Sequence, residues 1–227
     1  MDADDLSTIR RSALFARVGE HHVVEVIGAD EPRDLPRGTT LFSRGETIDR
    51  LPLLLSGWVR LFRAGEDGGE AVVSVIGAGR AIGETAALLG RPVEVGAATI
   101  APSRVLMIDA ARLRARLVAD PDFAFAMLAS AALHLRGMVG SLERLGALSG
   151  PRRLAGFLVD LLPAGDGPAV FDLPYEKSLI AAELGMTPES LSRAIARLGR
   201  HGVVVRRGRV EIARPSLLRA FLVGDRA

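Results

Sequence analysis

Glu189, Ser192 and Arg193 are spaced three and four positions apart, so a helical segment would bring an acid, a hydroxyl and a guanidinium to one face. No base and orienting group accompany the serine, and nothing elsewhere resembles a nucleophile set, so catalysis is not expected. The trio suits the reading of base-pair edges. Arg193 can donate a bidentate pair to guanine, Glu189 can accept from cytosine, and Ser192 can reach a base or a phosphate. Thr187, Arg197 and Arg200 fit contacts to backbone phosphates, as do Arg206, Arg207 and Arg209 around Gly208. From position 187 to 214 there are seven Arg and two Glu, net +5, so binding to a polyanion should weaken steeply with salt.

The elements that must hold these side chains are legible around them. A helix-forming run through Ala181, Ala182, Glu183 and Leu184 halts at Gly185, which can take the left-handed conformation a helix end requires. Thr187 is a good N-cap and Pro188 a good first helical residue, so a second helix restarts at once. Leu191, Ile195 and Leu198 form its expected buried stripe. Two helices across so short a turn are a helix-turn-helix, whose second helix enters the DNA major groove. The candidate strands 203–206 and 209–212 then form a basic wing, and a short strand at 170–173 and a helix from 152 to about 162 precede the pair. His201, closing the recognition helix, is expected beside a phosphate.

Upstream the pattern changes. Between 34 and 108 lie short β-rich runs at 39–42, 51–55, 58–62, 71–76, 93–100 and 105–108, broken by turn sequences such as Glu66-Asp67-Gly68-Gly69. The spacing predicts a small antiparallel barrel or jelly roll. Gly77-Ala78-Gly79 with Gly83 imitates a dinucleotide fingerprint, but the third glycine is one residue late and no βαβ unit surrounds it, so it is a barrel turn. A cupin-like metal site would need histidines here, and there is none between 34 and 108. Asp120-Pro121 announces a helix. Along it Leu128, Ala131, Leu135, Met138, Leu142 and Leu145 alternate three and four apart, the seam of a two-helix coiled coil, and a homodimer is expected. The organisation is α+β: a barrel at 1–119, a dimerisation helix at 120–149 and a DNA-binding domain at 150–227.

Composition agrees with this division. Before the end of Ser149 there are 17 Arg against 19 Asp and Glu; after it, 12 Arg and Lys against 8 acids. The positive charge gathers where a polyanion could use it. The chain has no cysteine, which excludes disulfides, thiolate nucleophiles and cysteine-held iron–sulfur clusters. No stretch reaches the roughly 18 to 20 apolar residues of a membrane span, and the acidic start is unlike a signal peptide, so a cytoplasmic protein is expected. Asp120 with Asp122 fits a helix N-terminus, and Asp2, Asp4 and Asp5 fit an exposed tail.

The order of barrel, long helix and winged helix-turn-helix resembles the Crp/Fnr superfamily of bacterial transcription regulators. Arg44-Gly45-Glu46, Leu55-Ser56-Gly57-Trp58-Val59 and Ile82-Gly83-Glu84 carry the likeness in the barrel, which would then be a jelly roll of the cyclic-nucleotide-binding type. Glu189, Ser192 and Arg193 look like the Glu-x-x-Ser-Arg signature of the Fnr-type branch. The resemblance implies a TTGA-like inverted repeat in double-stranded DNA, read by a homodimer with RNA polymerase as a further partner.

The departures bear on the signal. Members that bind cyclic AMP carry an Arg-Ser/Thr pair after the Gly-Glu, whereas this chain has Val93-Glu94-Val95-Gly96-Ala97. The Thr-Ser that meets adenine on the dimer helix is matched by Met138 and Val139. Of the nucleotide contacts only Glu84, the ribose position beside Gly83, is kept. An unpaired phosphate would be costly to bury, so cyclic AMP is not the expected ligand. Val93, Val95, Ala97, Met138 and Val139 suggest a pocket for an apolar or planar molecule. At 92–104 and in Ala147-Leu148-Ser149 the chain is similar to the denitrification regulators, which respond to nitric oxide through haem. Without cysteine the candidate axial ligands are His21, His22 and His134.

Overall fold

The structure, a computed structural model, describes residues 1–64, 70–162 and 167–223, with the side chains of 64, 134, 136–147 and 223 excepted. His134, Met138, Val139, Leu142 and Leu145 therefore lie outside the described side chains. The chain forms two compact units, divided between Val139 and Gly140.

The first unit opens with two helices, α1 (Ala3–Arg11) and α2 (Glu20–Ile27). Seven strands follow: β1 (Pro32–Leu35), β2 (Thr40–Phe42), β3 (Arg50–Ser56), β4 (Trp58–Ala64), β5 (Glu70–Gly77), β6 (Gly96–Thr99) and β7 (Ser103–Asp109). They pair antiparallel in two sheets, β1-β7-β3 and β2-β6-β4-β5. A short helix α3 (Glu84–Leu89) lies between β5 and β6, and α4 (Ala110–Ala119) and α5 (Pro121–Ala147) follow β7.

Leu51, Pro52, Leu53, Leu54 and Leu55 of β3 are all buried, so this strand has no solvent face. Leu54 joins Phe42, Val59, Ile82, Val93, Ala97 and Val105 in the core of the barrel. Leu51, Leu53 and Leu55, with Leu106 and Ile108 of β7, instead share a core with Ile9 of α1, Val23, Val26 and Ile27 of α2, Leu113 of α4, and Phe123 and Met127 of α5. A continuous apolar run is what two-sided burial demands.

Between β3 and β4 the chain reverses at Gly57 with φ +88°, and a Cβ there would stand 2.3 Å from Ser103 Oγ and 2.5 Å from the Pro102 carbonyl oxygen. Only glycine fits so close an approach at positive φ. The expected strand at 93–100 is realised only as Gly96–Thr99, because the Val93 backbone is taken up by Gly45 and Glu46.

Asp5 does not belong to an exposed tail. Asp2 caps α1, and Asp5 completes a capping box by accepting from the Asp2 amide at 3.0 Å. The Asp5 side chain is 4% exposed and bonds Arg104 of β7 twice, at 2.9 and 3.1 Å. Arg104 also reaches both oxygens of Asp34 on β1 at 3.0 Å. One guanidinium thus fastens the first helix to two strands.

α5 is two-faced. Phe123, Met127 and Ser130 are buried, and the Ser130 hydroxyl accepts from the Arg17 amide at 3.0 Å. Phe125, Leu128 and Leu135 are 72%, 66% and 61% exposed, with Ala131 also exposed. Asp120 caps this helix by accepting from the Phe123 amide at 3.0 Å. No helix among the described residues is long and apolar enough to cross a membrane.

The second unit contains α6 (Gly150–Asp160), β8 (Ala169–Asp172), α7 (Lys177–Glu183), α8 (Pro188–Leu198), a 3-10 turn (Gly199–His201), β9 (Val203–Arg206), β10 (Arg209–Ile212) and α9 (Pro215–Val223). β8 does not stand apart from the wing: the three strands form one antiparallel sheet in the order β8-β10-β9.

The Arg104 hydrogen bonds hold the Asp5 carboxyl below the ordinary carboxylate range. Because the folded pKa is depressed, the contribution is fully present above the unfolded value of about 4 and is lost as pH falls through the folded value. Asp5→Ala is expected to destabilise the chain by about 1 to 2 kcal/mol at neutral pH, seen as a lower melting temperature, and the difference should shrink on acidification below about pH 4. A deficit constant down to pH 2 would show that charge pairing is not its cause.

Candidate nucleic-acid interface

α7 ends in a Schellman arrangement. The Gly185 amide donates to the Ala182 carbonyl at 3.1 Å and the Met186 amide to the Ala181 carbonyl at 2.8 Å, with Gly185 at φ +59°. Thr187 then caps α8, accepting from the Ser190 amide at 3.2 Å, with Pro188 as the first helical residue. Leu191, Ala194 and Leu198 are the buried stripe. Ile195 is only half-buried. The contact face is centred on the small Ala194, and α8 packs against α6 and α7.

The opposite face carries Glu189, Ser192, Arg193 and Arg197, all exposed, with Arg200 exposed just beyond the helix. Two hydroxyls organise it. Ser192 Oγ donates to the Pro188 carbonyl at 3.0 Å, and Arg193 Nη2 donates to Ser190 Oγ at 2.8 Å. Glu189 is held below the ordinary carboxylate range by its own amide, the Thr187 hydroxyl and nearby Arg193, so it stays ionised and able to accept. Ser190 was not among the residues singled out from sequence as a reader; its three-residue spacing from Arg193 was the available signal.

α7 is locked in place from behind. The Tyr175 hydroxyl donates to Glu183, and burial pushes both groups upward in pKa. The Tyr175 ring meets Phe157 of α6 edge-on at 6.2 Å. The His201 ring lies 4.4 Å from that of Phe221 in α9, whose ring also receives Arg152 at 5.8 Å.

In the wing, Arg206 and Arg209 are directly opposed across β9 and β10. Arg207 at φ +48° and Gly208 at φ +87° make the two-residue turn. Opposed like charges and a left-handed arginine each destabilise a hairpin. None of the three arginines makes an ion pair within 4.0 Å among the described residues, although Asp172 of β8 lies opposite Arg209 in the sheet, so their charge remains available to a polyanion.

In the sensor, Gly83 has φ +82° and Glu84 opens α3 half-buried. Burial raises the Glu84 pKa, with Arg80 near enough to oppose the shift. Val93 and Ala97 are packed in the barrel core beside Ala86, and Val95 is half-buried. His21 is exposed. His22 Nδ1 lies 2.7 Å from Arg116 Nη2 and 3.4 Å from Asp120 Oδ2. The two imidazole ring centroids lie 3.7 Å apart at a tilt of 42°, and that of His22 lies 5.5 Å from the Phe123 ring.

Arg206→Thr is expected to stabilise the hairpin slightly, by about 0.2 to 1 kcal/mol. It should also weaken DNA binding evenly across sequences and reduce the slope of log K against log salt by about 1. Titrations over a salt series read both, and an unchanged slope would remove the wing from the interface.

Comparison with known proteins agrees with this arrangement. The cyclic nucleotide-binding domain family matches residues 32–120, and the Crp-like helix-turn-helix domain family matches residues 152–221. A crystal structure of a candidate cyclic nucleotide binding protein from Ruegeria pomeroyi is 38% identical, with 98% of each chain covered and a TM-score of 0.84. A CRP-like cAMP-activated global transcriptional regulator of Mycobacterium tuberculosis is 28% identical over 200 residues, 86% of this chain and 88% of that one. The cyclic AMP receptor protein of Thermus thermophilus is 28% identical over 217 residues, 95% and 99% of the two chains. This chain belongs to the Crp/Fnr family of transcription regulators, non-enzymatic proteins in which a cyclic-nucleotide-binding-type domain precedes a DNA-binding helix-turn-helix.

Proposed function

We propose that the chain acts in the cytoplasm as a homodimer that reads a TTGA-like inverted repeat under the control of a signal other than a cyclic nucleotide, with RNA polymerase as its downstream partner. The observation that carries the reading is the exposure of Glu189, Ser192 and Arg193 on one face of α8, with Arg193 already oriented by Ser190. The dimer is supported by the exposed apolar face Phe125, Leu128 and Leu135, opposite the face α5 gives to its own domain. A second copy laying the same stripe alongside would cover it.

For the signal, the region where cyclic-AMP-binding members carry an Arg-Ser/Thr pair reads Val93-Glu94-Val95-Gly96-Ala97 here, and its one charged residue is an acid, Glu94. A cyclic phosphate there would meet no cation of that segment. Haem with nitric oxide is the first alternative, since bound haem supplies an iron that takes up the gas. His22 is the candidate ligand whose surroundings are described: Arg116 Nη2, which can only donate, lies 2.7 Å from its Nδ1, so the neutral ring carries its proton on Nε2 and would have to give up that contact before it could hold iron. A cyclic nucleotide is the second reading, favoured by the names of the relatives at 28% identity and by the half-buried Glu84.

Arg193→Ala is expected to reduce discrimination between the TTGA repeat and a scrambled duplex by about 10- to 100-fold, the worth of a bidentate base contact of about 1 to 3 kcal/mol. Undiminished discrimination in a competition assay would overturn the reader. Titration of the apo-protein with haem under anaerobic conditions should give a one-per-subunit visible spectrum that shifts with nitric oxide and changes in His22→Ala. Saturable calorimetric binding of cyclic AMP with no such spectrum would favour the second reading instead.

A further inference from the structure

Between the first turn of α6 and the helix-turn-helix lies an open cleft of about 530 Å³. Three arginines line it, Arg153, Arg193 and Arg197, and no carboxylate does. The nearest acid in electrostatic contact is Glu189, which answers Arg193 alone.

The three guanidinium groups are in different states. Arg193 is committed to Ser190 Oγ. Arg197 has no hydrogen-bond or ion-pair partner among the described residues. Arg153 is the unusual one. Its Nη1 donates to the Leu148 carbonyl at 3.2 Å and its Nη2 to the Gly185 carbonyl at 3.4 Å, while its Nε is buried without a partner. A guanidinium that meets only neutral carbonyls, one of them at the limit of a hydrogen bond, keeps its full charge uncompensated.

Gly150 begins α6 close to the reader turn, and a Cβ there would stand 2.8 Å from Met186 Cε, the flexible end of that side chain.

We propose that this cleft is a phosphate-binding subsite, in which Arg153 and Arg197 hold one phosphate group with Arg193 at its edge. Guanidinium forks match phosphate oxygens bidentately, and a site ringed by such donors and free of carboxylates selects an anion. The phosphate has two possible sources, a phosphodiester of the duplex that α8 reads or a phosphate group of a free molecule. The first deepens the DNA-reading proposal and rests on it; the second does not.

The test uses the full chain and Arg153→Gln, with pyrophosphate and duplex DNA as probes. Wild type should be stabilised against heat by pyrophosphate relative to chloride at matched ionic strength, or should lose about 1 in salt slope on duplex when Arg153 is replaced. The slope change alone assigns the phosphodiester, and the pyrophosphate effect alone, lost in Arg153→Gln, assigns a free phosphate. If Arg153→Gln changes neither, the subsite is wrong. Should that variant melt before binding can be read, Arg197→Gln is subjected to the same two measurements and must lose the same effect. A failure of the sequence-reading proposal looks different: wild type would bind TTGA and scrambled duplexes equally, while the slope and pyrophosphate arms would still decide the cleft.

Discussion

Strands β3 and β7 are buried on both faces, and that constraint organises the first unit. Leu54 and Val105 point into the barrel while Leu53 and Leu106 point away from it, so the outer face needs a cover as apolar as the inner one. α1, α2, α4 and α5 supply it, closing over Leu51, Leu55 and Ile108 with Ile9, Val26, Leu113 and Phe123. The domain is therefore a barrel whose back wall is a helical layer, and the long helix belongs to that layer from its first turn.

A consequence is that α5 cannot rotate freely. Phe123, Met127 and Ser130 fix one face against the domain, and Asp120 fixes its start through the Phe123 amide and Arg116, the latter at 2.9 Å. Phe125, Leu128 and Leu135 must then face away. Packed interfaces move between discrete arrangements more readily than they deform. A helix held on one face in this way is the kind of element a ligand could bias by preferring one arrangement.

Most of the reader was legible because its signals are local. Gly185, Thr187 and Pro188 each act on their own backbone, and their spacing alone gives a helix, a turn and a second helix. The 51–55 run was equally legible as a strand, but the helical layer that its unbroken hydrophobicity requires was not read from it. What escaped depends on partners remote in sequence. Asp5 looks like part of an acidic tail until Arg104, 99 positions away, is placed beside it. α3 and α4 are short, and their boundaries at Gly83 and Asp109 are set by the strands they connect. Ala194 displaced Ile195 from the buried stripe because the depth at which α6 approaches, which no periodicity encodes, decides which of two neighbouring apolar positions is covered. His22 was read only as a candidate ligand, since its contacts with Arg116 and Asp120 come from two other helices.

The two ends of the molecule treat charge in opposite ways, and the difference follows from what each must leave unfinished. In the sensor, cations are consumed: Arg104 by Asp5 and Asp34, Arg50 by Asp30, and Arg116 by Glu25 and Asp120. In the reader, Arg206 and Arg209 oppose each other across the hairpin, with Asp172 of β8 opposite Arg209 on the other side, and Arg207 takes a left-handed backbone in the turn. Those features oppose folding of the hairpin, so its buried residues Val203, Val210 and Ile212 and its pairing with β8 must offset them. A polyanion would screen the repulsion between Arg206 and Arg209 on binding. The third strand β8 supports the hairpin by backbone pairing, sets Asp172 opposite Arg209, and leaves the three arginines exposed.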